Sequence, residues 1–249
     1  MKIYSITLSI LFALFLMSCG TVFADGDMSL SFKPDHVTIG TTYNGATVEL
    51  SGTVPEGCAA VVRVMGELKD TKFKQKGKVL GLLWMNVATV ELDNIPSLFL
   101  VATDSETYAG GGKKWEDLNL GFDSVKGNSD TKIFHEFLKL VEHEEHYMIE
   151  DGVVKYHETA NGLRGFTAEL TLPSSLQRGE YTVEVVAVRD GKVVGKTVSS
   201  ISAAFTGFPK LLSSIAFGHE IIYGISAVII AILAGLFMSM IFSDKGAAH

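Results

Sequence analysis

From Ile221 to Phe242 the chain runs for 22 residues without a charged side chain. At ~1.5 Å per residue a helix of that length covers about 33 Å, and the hydrocarbon core of a bilayer is about 30 Å thick. A core helix of a water-soluble protein seldom lacks a polar face for so long, so the run predicts one transmembrane helix. Its flanks, Glu220 on one side and Asp244 and Lys245 on the other, are too sparse in Lys and Arg to orient it. One face carries Ala227, Ala231, Gly235 and Ser239, a small residue at every fourth position. In lipid, small side chains let helix backbones approach closely, so this ridge predicts packing against a second helix, from another copy or from a different membrane protein.

Orientation comes from the other end. Lys2 is the only charge before Asp25, and the stretch Ile6–Met17 has the length of a signal-peptide apolar region, too short to span. Val22-Phe23-Ala24 fits a cut before Asp25, Leu16-Met17-Ser18-Cys19 resembles a lipobox with Cys19 lipidated, and an uncleaved anchor is the third reading. In all three the domain that begins near Asp25 is exported. The expected organisation is a signal peptide at 1–24, a periplasmic domain at 25–205, a juxtamembrane segment at 206–220, a span at 221–242 and a cytoplasmic tail at 243–249. The chain is thus expected to be a single-pass protein of the bacterial cytoplasmic (inner) membrane, with its main domain in the periplasm.

That domain reads as β. Ala46, Val48, Leu50, Gly52 and Val54 alternate with Thr47, Glu49, Ser51 and Thr53, and Phe166, Ala168, Leu170 and Leu172 alternate with Thr167, Glu169 and Thr171. A period of two puts one face on a core and the other in water. Turn signals separate the runs at Asn44-Gly45, Pro55-Glu56-Gly57 and Asp190-Gly191, the last joining Tyr181–Arg189 to Lys192–Ser199 as a hairpin. Further strands are expected at 36–39, 58–65, 79–85, 87–92 and 97–103. Many short strands at this spacing predict a mainly β fold, an Ig-like antiparallel β-sandwich, with Tyr181 near a corner. One inserted helix interrupts it: after Asn128, Ser129 and Asp130, any of which can cap, Phe134, Phe137, Leu138 and Val141 recur at helical spacing through about Tyr147. Ser105–Gly127, with three successive glycines at 110–112, is expected to be a mobile loop.

Candidate chemistry is thin. His135, Glu142 and His146 share one face if the helix runs on through 146, and imidazole with carboxylate can hold a transition metal. The two histidines of Glu142-His143-Glu144-Glu145-His146 are three apart rather than four, however, and Lys139 would stand in the middle of the face, so a solvated face explains the same residues. Gly110-Gly111-Gly112-Lys113-Lys114 fails the phosphate-loop test, with Thr107 where the first glycine belongs and Lys114 where Ser or Thr is needed. No Gly-x-Ser-x-Gly elbow occurs. Cys58, the only cysteine left after cleavage before Asp25, precedes an apolar strand and reads as a buried thiol. Trp84 reads as core, whereas Trp115, beside two lysines and the glycines, is a candidate for an exposed loop position and a partner contact. A net charge of −7 excludes a general nucleic-acid binder. No cofactor is expected and no enzyme activity is predicted.

Several segments in order carry a resemblance: Gly81–Asn86, Leu92-Asp93-Asn94-Ile95-Pro96-Ser97-Leu98-Phe99, Pro173, Gly179–Val185 running into Arg189-Asp190-Gly191, Gly207-Phe208 and Tyr223-Gly224. Together they resemble an uncharacterised bacterial family of transmembrane proteins first described from alphaproteobacteria. Genes of that family are often found near permeases of the sulfite-exporter type, so the resemblance implies a transport-associated membrane partner. It brings no catalytic residues, and the histidine cluster is not part of its pattern. The reading is a membrane-anchored periplasmic binding or accessory protein. The alternative is a periplasmic metal- or substrate-binding protein, or an enzyme, using His135, Glu142 and His146.

Overall fold

Alternating apolar residues become two facing sheets. The computed structural model describes residues 28–127, 130–158 and 161–243; the expected signal segment, Asn128, Ser129 and positions 244–249 of the tail lie outside the described residues. The strands are β1 (Ser29–Lys33), β2 (His36–Ile39), β3 (Ala46–Pro55), β4 (Ala59–Met65), β5 (Leu68–Val79), β6 (Leu83–Pro96), β7 (Phe99–Ala102), β8 (Tyr147–Glu150), β9 (Lys155–Glu158), β10 (Leu163–Leu172), β11 (Gly179–Arg189) and β12 (Lys192–Phe205). Between β7 and β8 lie α1 (Ser105–Tyr108), α2 (Lys113–Leu118), a 3-10 turn at Phe122–Val125 and α3 (Thr131–His143). After β12 come α4 (Gly207–Gly218) and α5 (Glu220–Ser243).

One sheet has the order β1-β3-β10-β9, the other β2-β12-β11-β4-β7-β8. The first is antiparallel throughout. In the second, β2 runs parallel to β12 and β8 parallel to β7. β1 and β2, separated only by Pro34 and Asp35, sit at the edges of opposite sheets, and the Lys33–Pro34 bond between them is cis. Four strands facing a sheet built around β12-β11-β4 reproduce the strand arrangement of an immunoglobulin-type sandwich. The corner is also present: the Tyr181 hydroxyl donates to the Gln177 carbonyl at 2.7 Å, four residues upstream. Between the sheets Leu50, Val54, Phe166, Leu170, Val62 and Val185 form a fully buried core.

The larger sheet buries its second face as well. All four residues of β7 are buried, with Leu100 and Ala102 facing the sandwich core and Phe99 and Val101 facing a helical layer. A parallel neighbour needs a long crossover, and residues 103–146 supply it from β7 to β8. Its α3 is capped by Asp130, whose carboxylate accepts from the Lys132 and Ile133 amides at 2.8 and 3.3 Å. Phe134, Phe137, Leu138 and Val141 all turn inward, where the ring of Phe137 lies 5.5 Å from Tyr147 and Phe99 lies 6.0 Å from Phe122.

Three expectations are corrected. Residues 79–85 do not form a strand, since Leu80, Gly81 and Leu82 are the turn of a long ribbon, β5 paired with β6. β5 gives no apolar signal because its period of two is carried by Lys72, Lys74, Lys76 and Lys78. Ser105–Gly127 is not an open loop but folds as α1, α2 and the 3-10 turn, burying Trp115, Leu118 and Leu120. The inserted helix ends at His143, with Glu145 in the left-handed region (φ 59°), so Tyr147 opens β8 instead of closing a helix.

Register fixes the two ends of the sandwich. Gly179 pairs with Ala203 and Thr182 with Met65, so the start of β11, the end of β12 and the end of β4 lie together. From this anchor end the chain leaves as α4 and α5. Val188 pairs with Ala59 and Arg189 with Lys192, which puts the β3–β4 and β11–β12 loops at the opposite end, with the β7 terminus beside them through the Val62–Ala102 pair.

Candidate functional site

A cleft of about 510 Å³ opens at the loop end, between the β3–β4 and β11–β12 turns and the start of the crossover. Its organising residue is Asp104, placed by the end of β7. As the cap of α1 the carboxylate accepts from the Thr107 amide at 2.8 Å and the Thr107 hydroxyl at 3.0 Å. The same group accepts from the Tyr156 hydroxyl at 2.7 Å. That hydroxyl in turn accepts from the Ala60 amide at 2.9 Å, which ties β9 to the first residues of β4. Burial, and after it the Asp104 hydrogen bond, push the Tyr156 phenol well above its ordinary value. The phenol, neutral at physiological pH even at its ordinary value, works as a hydrogen-bond bridge. Arg164 stacks on the Tyr156 ring, 3.6 Å from its centroid.

The cleft wall carries charges of both signs, with Lys114, Arg164 and Arg189 against Asp104, Glu106 and Asp190. Arg189 is partly committed, donating to the Glu56 carbonyl at 2.5 Å. Cys58 lines the floor and is fully buried as a free thiol, in line with its sequence reading. Asp104 and Tyr156 are both occupied in holding the wall together, so the chemistry this arrangement offers is recognition of a polar ligand or protein loop by Lys114, Arg164 and the turn at Asp190-Gly191. Cys58, Lys114 and the Asp190-Gly191 turn each stood out in the sequence separately, but Asp104, Tyr156 and Arg164 did not. The one available signal was the Asp104-Ser105-Glu106-Thr107 cap, which marks a helix start without saying that Tyr156 meets it.

The sequence-level candidates fare differently. His135 and Glu142 are exposed on α3. His146 lies past the helix end, where one ring nitrogen is 2.8 Å from the Ser175 hydroxyl and the other 3.3 Å from Glu144. The predicted common face does not form because the helix stops before His146. Among the described residues no group of three or more His, Cys, Asp or Glu side chains is placed to hold a metal ion.

The two tryptophans exchange roles. Trp115, expected to be exposed, is only 5% exposed: α2 starts after Gly112 and turns the ring inward, edge-on to Tyr108 at 5.2 Å and across Gly121, where a Cβ would come within 2.8 Å of Trp115 Nε1. Trp84, expected in the core, is 66% exposed beside the ribbon turn.

At the anchor end, α4 is joined to the sandwich by a hydrogen bond from Arg178 to the Ser213 hydroxyl at 3.1 Å. α5 follows after His219 and exceeds the expected span by one residue at each end. The most apolar 18 residues within Glu220–Phe242 have a mean hydropathy of 2.6, and that stretch is not buried against the rest of the protein. Ala227, Ala231, Gly235 and Ser239 all lie exposed along it.

Residues 27–244 match the family model described as "Putative transmembrane protein (Alph_Pro_TM)". The chain belongs to this family. Membership and α5 together make it a membrane protein with one candidate transmembrane helix among the described residues. No curated protein matches the sequence. Among solved structures, that of murine CRIg aligns over 73% of this chain and all of its own, at 12% identity and a TM-score of 0.27.

Proposed function

We propose that this family member is a membrane-tethered binding module rather than an enzyme. Its Ig-like domain is held on the periplasmic face of the cytoplasmic membrane and serves as an accessory to another membrane protein. The observation that carries this reading is the placement of the polar loop-end cleft opposite the end from which α5 leaves. A tether at one end and a recognition surface at the other suit a domain that presents its loops away from the bilayer. The engagement of Asp104 and Tyr156 in structural hydrogen bonds supports binding over catalysis. The partner we propose is a polytopic transporter, a permease of the sulfite-exporter type being the class that the family resemblance suggests, contacted through the ridge Ala227, Ala231, Gly235 and Ser239.

Substitution of Gly235 with Leu tests the partner, because among the described residues no atom beyond its chain neighbours and the local helix backbone lies within 4 Å of a Cβ placed there, and folding is left alone. A bulky side chain on the ridge should hold a second helix away and lower the yield of co-purified membrane partner by roughly fivefold or more, on the order of 1 kcal/mol. Leu233→Ile, on the opposite face, should leave the yield unchanged. Equal behaviour of the two variants would remove the ridge, and with it the accessory role of α5. A reporter fused after His249 should be active only in the cytoplasm; activity in the periplasm would reverse the proposed orientation.

A further inference from the structure

Among the described residues outside α4 and α5, most of the exposed large apolar side chains lie on the β5–β6 ribbon. Leu80 and Leu82 are 90% and 84% exposed, with Leu83, Trp84, Met85 and Val87 exposed behind them. Nearer its base the same ribbon is anchored, with Phe73 5.4 Å from Phe137 and Leu92 fully buried in the helical layer. The apolar tip is thus held out on a supported stalk. From Thr71 to Val90 the ribbon carries Lys72, Lys74, Lys76 and Lys78 and no Asp or Glu, in a chain whose net charge is −7. Among the described residues only Lys72 of the four meets a carboxylate, Glu91 at 2.6 Å.

The ribbon also springs from the anchor end. The β4–β7 ladder continues into β5–β6 through the bonds from the Gly66 amide to the Leu98 carbonyl and from the Ser97 amide to the Glu67 carbonyl. The base of the ribbon therefore lies at the same end of the sheet as the end of β12, with β11 between them, and it is from β12 that the membrane helix departs.

We infer that the tip of this ribbon, Leu80 to Trp84, inserts into the anionic outer leaflet of the same membrane that α5 spans. The reading rests on the proposed extracytoplasmic placement of the domain. Leucine and tryptophan at a tip, with Lys78 opposite Trp84 and its ammonium 5.4 Å from the ring centroid, and with Lys76, Lys74 and Lys72 behind them, are the composition of an interfacial membrane anchor. Lys78 and Lys76 stand two and four residues behind Leu80, about 7 and 13 Å at ~3.3 Å per residue, which is headgroup depth for a shallow insertion. Shallow entry is also what a two-stranded ribbon permits, since its outer backbone edges are unpaired and cannot enter the hydrocarbon. A second copy of the ribbon would set lysine against lysine. A protein groove would need carboxylates at matching intervals, whereas an anionic leaflet offers charge at every position.

The test uses the full chain reconstituted in vesicles, with brominated acyl chains as the quencher. Trp84 and Trp115 are the only tryptophans, and Trp115 is buried, so the difference between the wild type and Trp84→Phe isolates the tip. In vesicles containing phosphatidylglycerol the Trp84 component should be quenched by brominated lipid. The quenching should weaken in purely phosphatidylcholine vesicles and vanish in Leu80→Ser/Leu82→Ser. Lys76→Gln and Lys78→Gln should each lower the inserted-to-free ratio by roughly fivefold. A Trp84 component that is unquenched in phosphatidylglycerol vesicles overturns the proposal. So does one shielded from acrylamide, unquenched by lipid and dependent on protein density, which would mean that another protein chain covers the tip. Flotation of the chain with vesicles reports on α5 separately, so failure of the tip is distinguishable from failure of the anchor.

Discussion

Glu184→Ala should destabilise the domain by about 3–5 kcal/mol, the cost of leaving a buried charge without its partner. Glu184 sits on β11 opposite Arg63 of β4, and the guanidinium donates twice to Oε2, through Nε at 2.9 Å and through a second, shorter bond from Nη2. The Glu184 side chain is 5% exposed and that of Arg63 14%, while Lys196, 3.4 Å from Oε1, is largely in water and contributes little. Removing the carboxylate strands Arg63 beside Val61, Met65 and Val101, its apolar neighbours on the same sheet face. With a urea dependence of about 1–3 kcal/mol per M, the unfolding midpoint should fall by about 1 M or more. Arg63→Met combined with Glu184→Leu should recover most of the loss, because two apolar residues of similar size remove both charges at once. If the double variant is no better than Glu184→Ala, the penalty arises from packing rather than from an unpaired charge.

That pair also shows what the sequence could and could not say. Period-two alternation in 46–54 and 166–172 marked strands whose outer faces meet water, and those strands are β3 and β10. Phe99–Ala102 and Val185–Val188 carry no such alternation because β7 and that part of β11 are covered on both faces, and an uninterrupted apolar run does not say what covers it. Glu184, at the border of one of these runs, resembles any solvent-facing glutamate until the register brings Arg63 opposite.

The apolar span and the helix at 131–143 were legible because each is a long local pattern. The cleft was not, since Asp104, Tyr156 and Arg164 belong to three elements that only the topology brings together. The tryptophans failed for a related reason. Local polarity suggested exposure for Trp115, but a helix of six residues was enough to turn its ring inward. Trp84 has apolar neighbours that are themselves exposed, so its surroundings suggested a core that does not exist.

Phe99→Ala should cost about 3–5 kcal/mol, the range for truncating a fully buried aromatic ring. The ring lies 5.7 Å from Tyr147 and 6.0 Å from Phe122, and through Tyr147 it reaches Phe137 of α3, which itself meets Phe73 at the ribbon base. This chain of rings joins the sheet, the crossover and the ribbon, so the damage should not stay local. Loss of Phe99 should loosen α3 and the lower ribbon before the sandwich itself, whose core faces the opposite side of β7. Amide hydrogen exchange should then show lost protection in 73–76, 90–92 and 131–143, with 48–54 and 166–172 still protected. Leu140→Ala, on the exposed side of α3, should change stability by well under 1 kcal/mol. Uniform loss of protection across both sheets would mean that the helical layer and the sandwich unfold as one unit, and that the ribbon owes its position to the whole domain rather than to these rings.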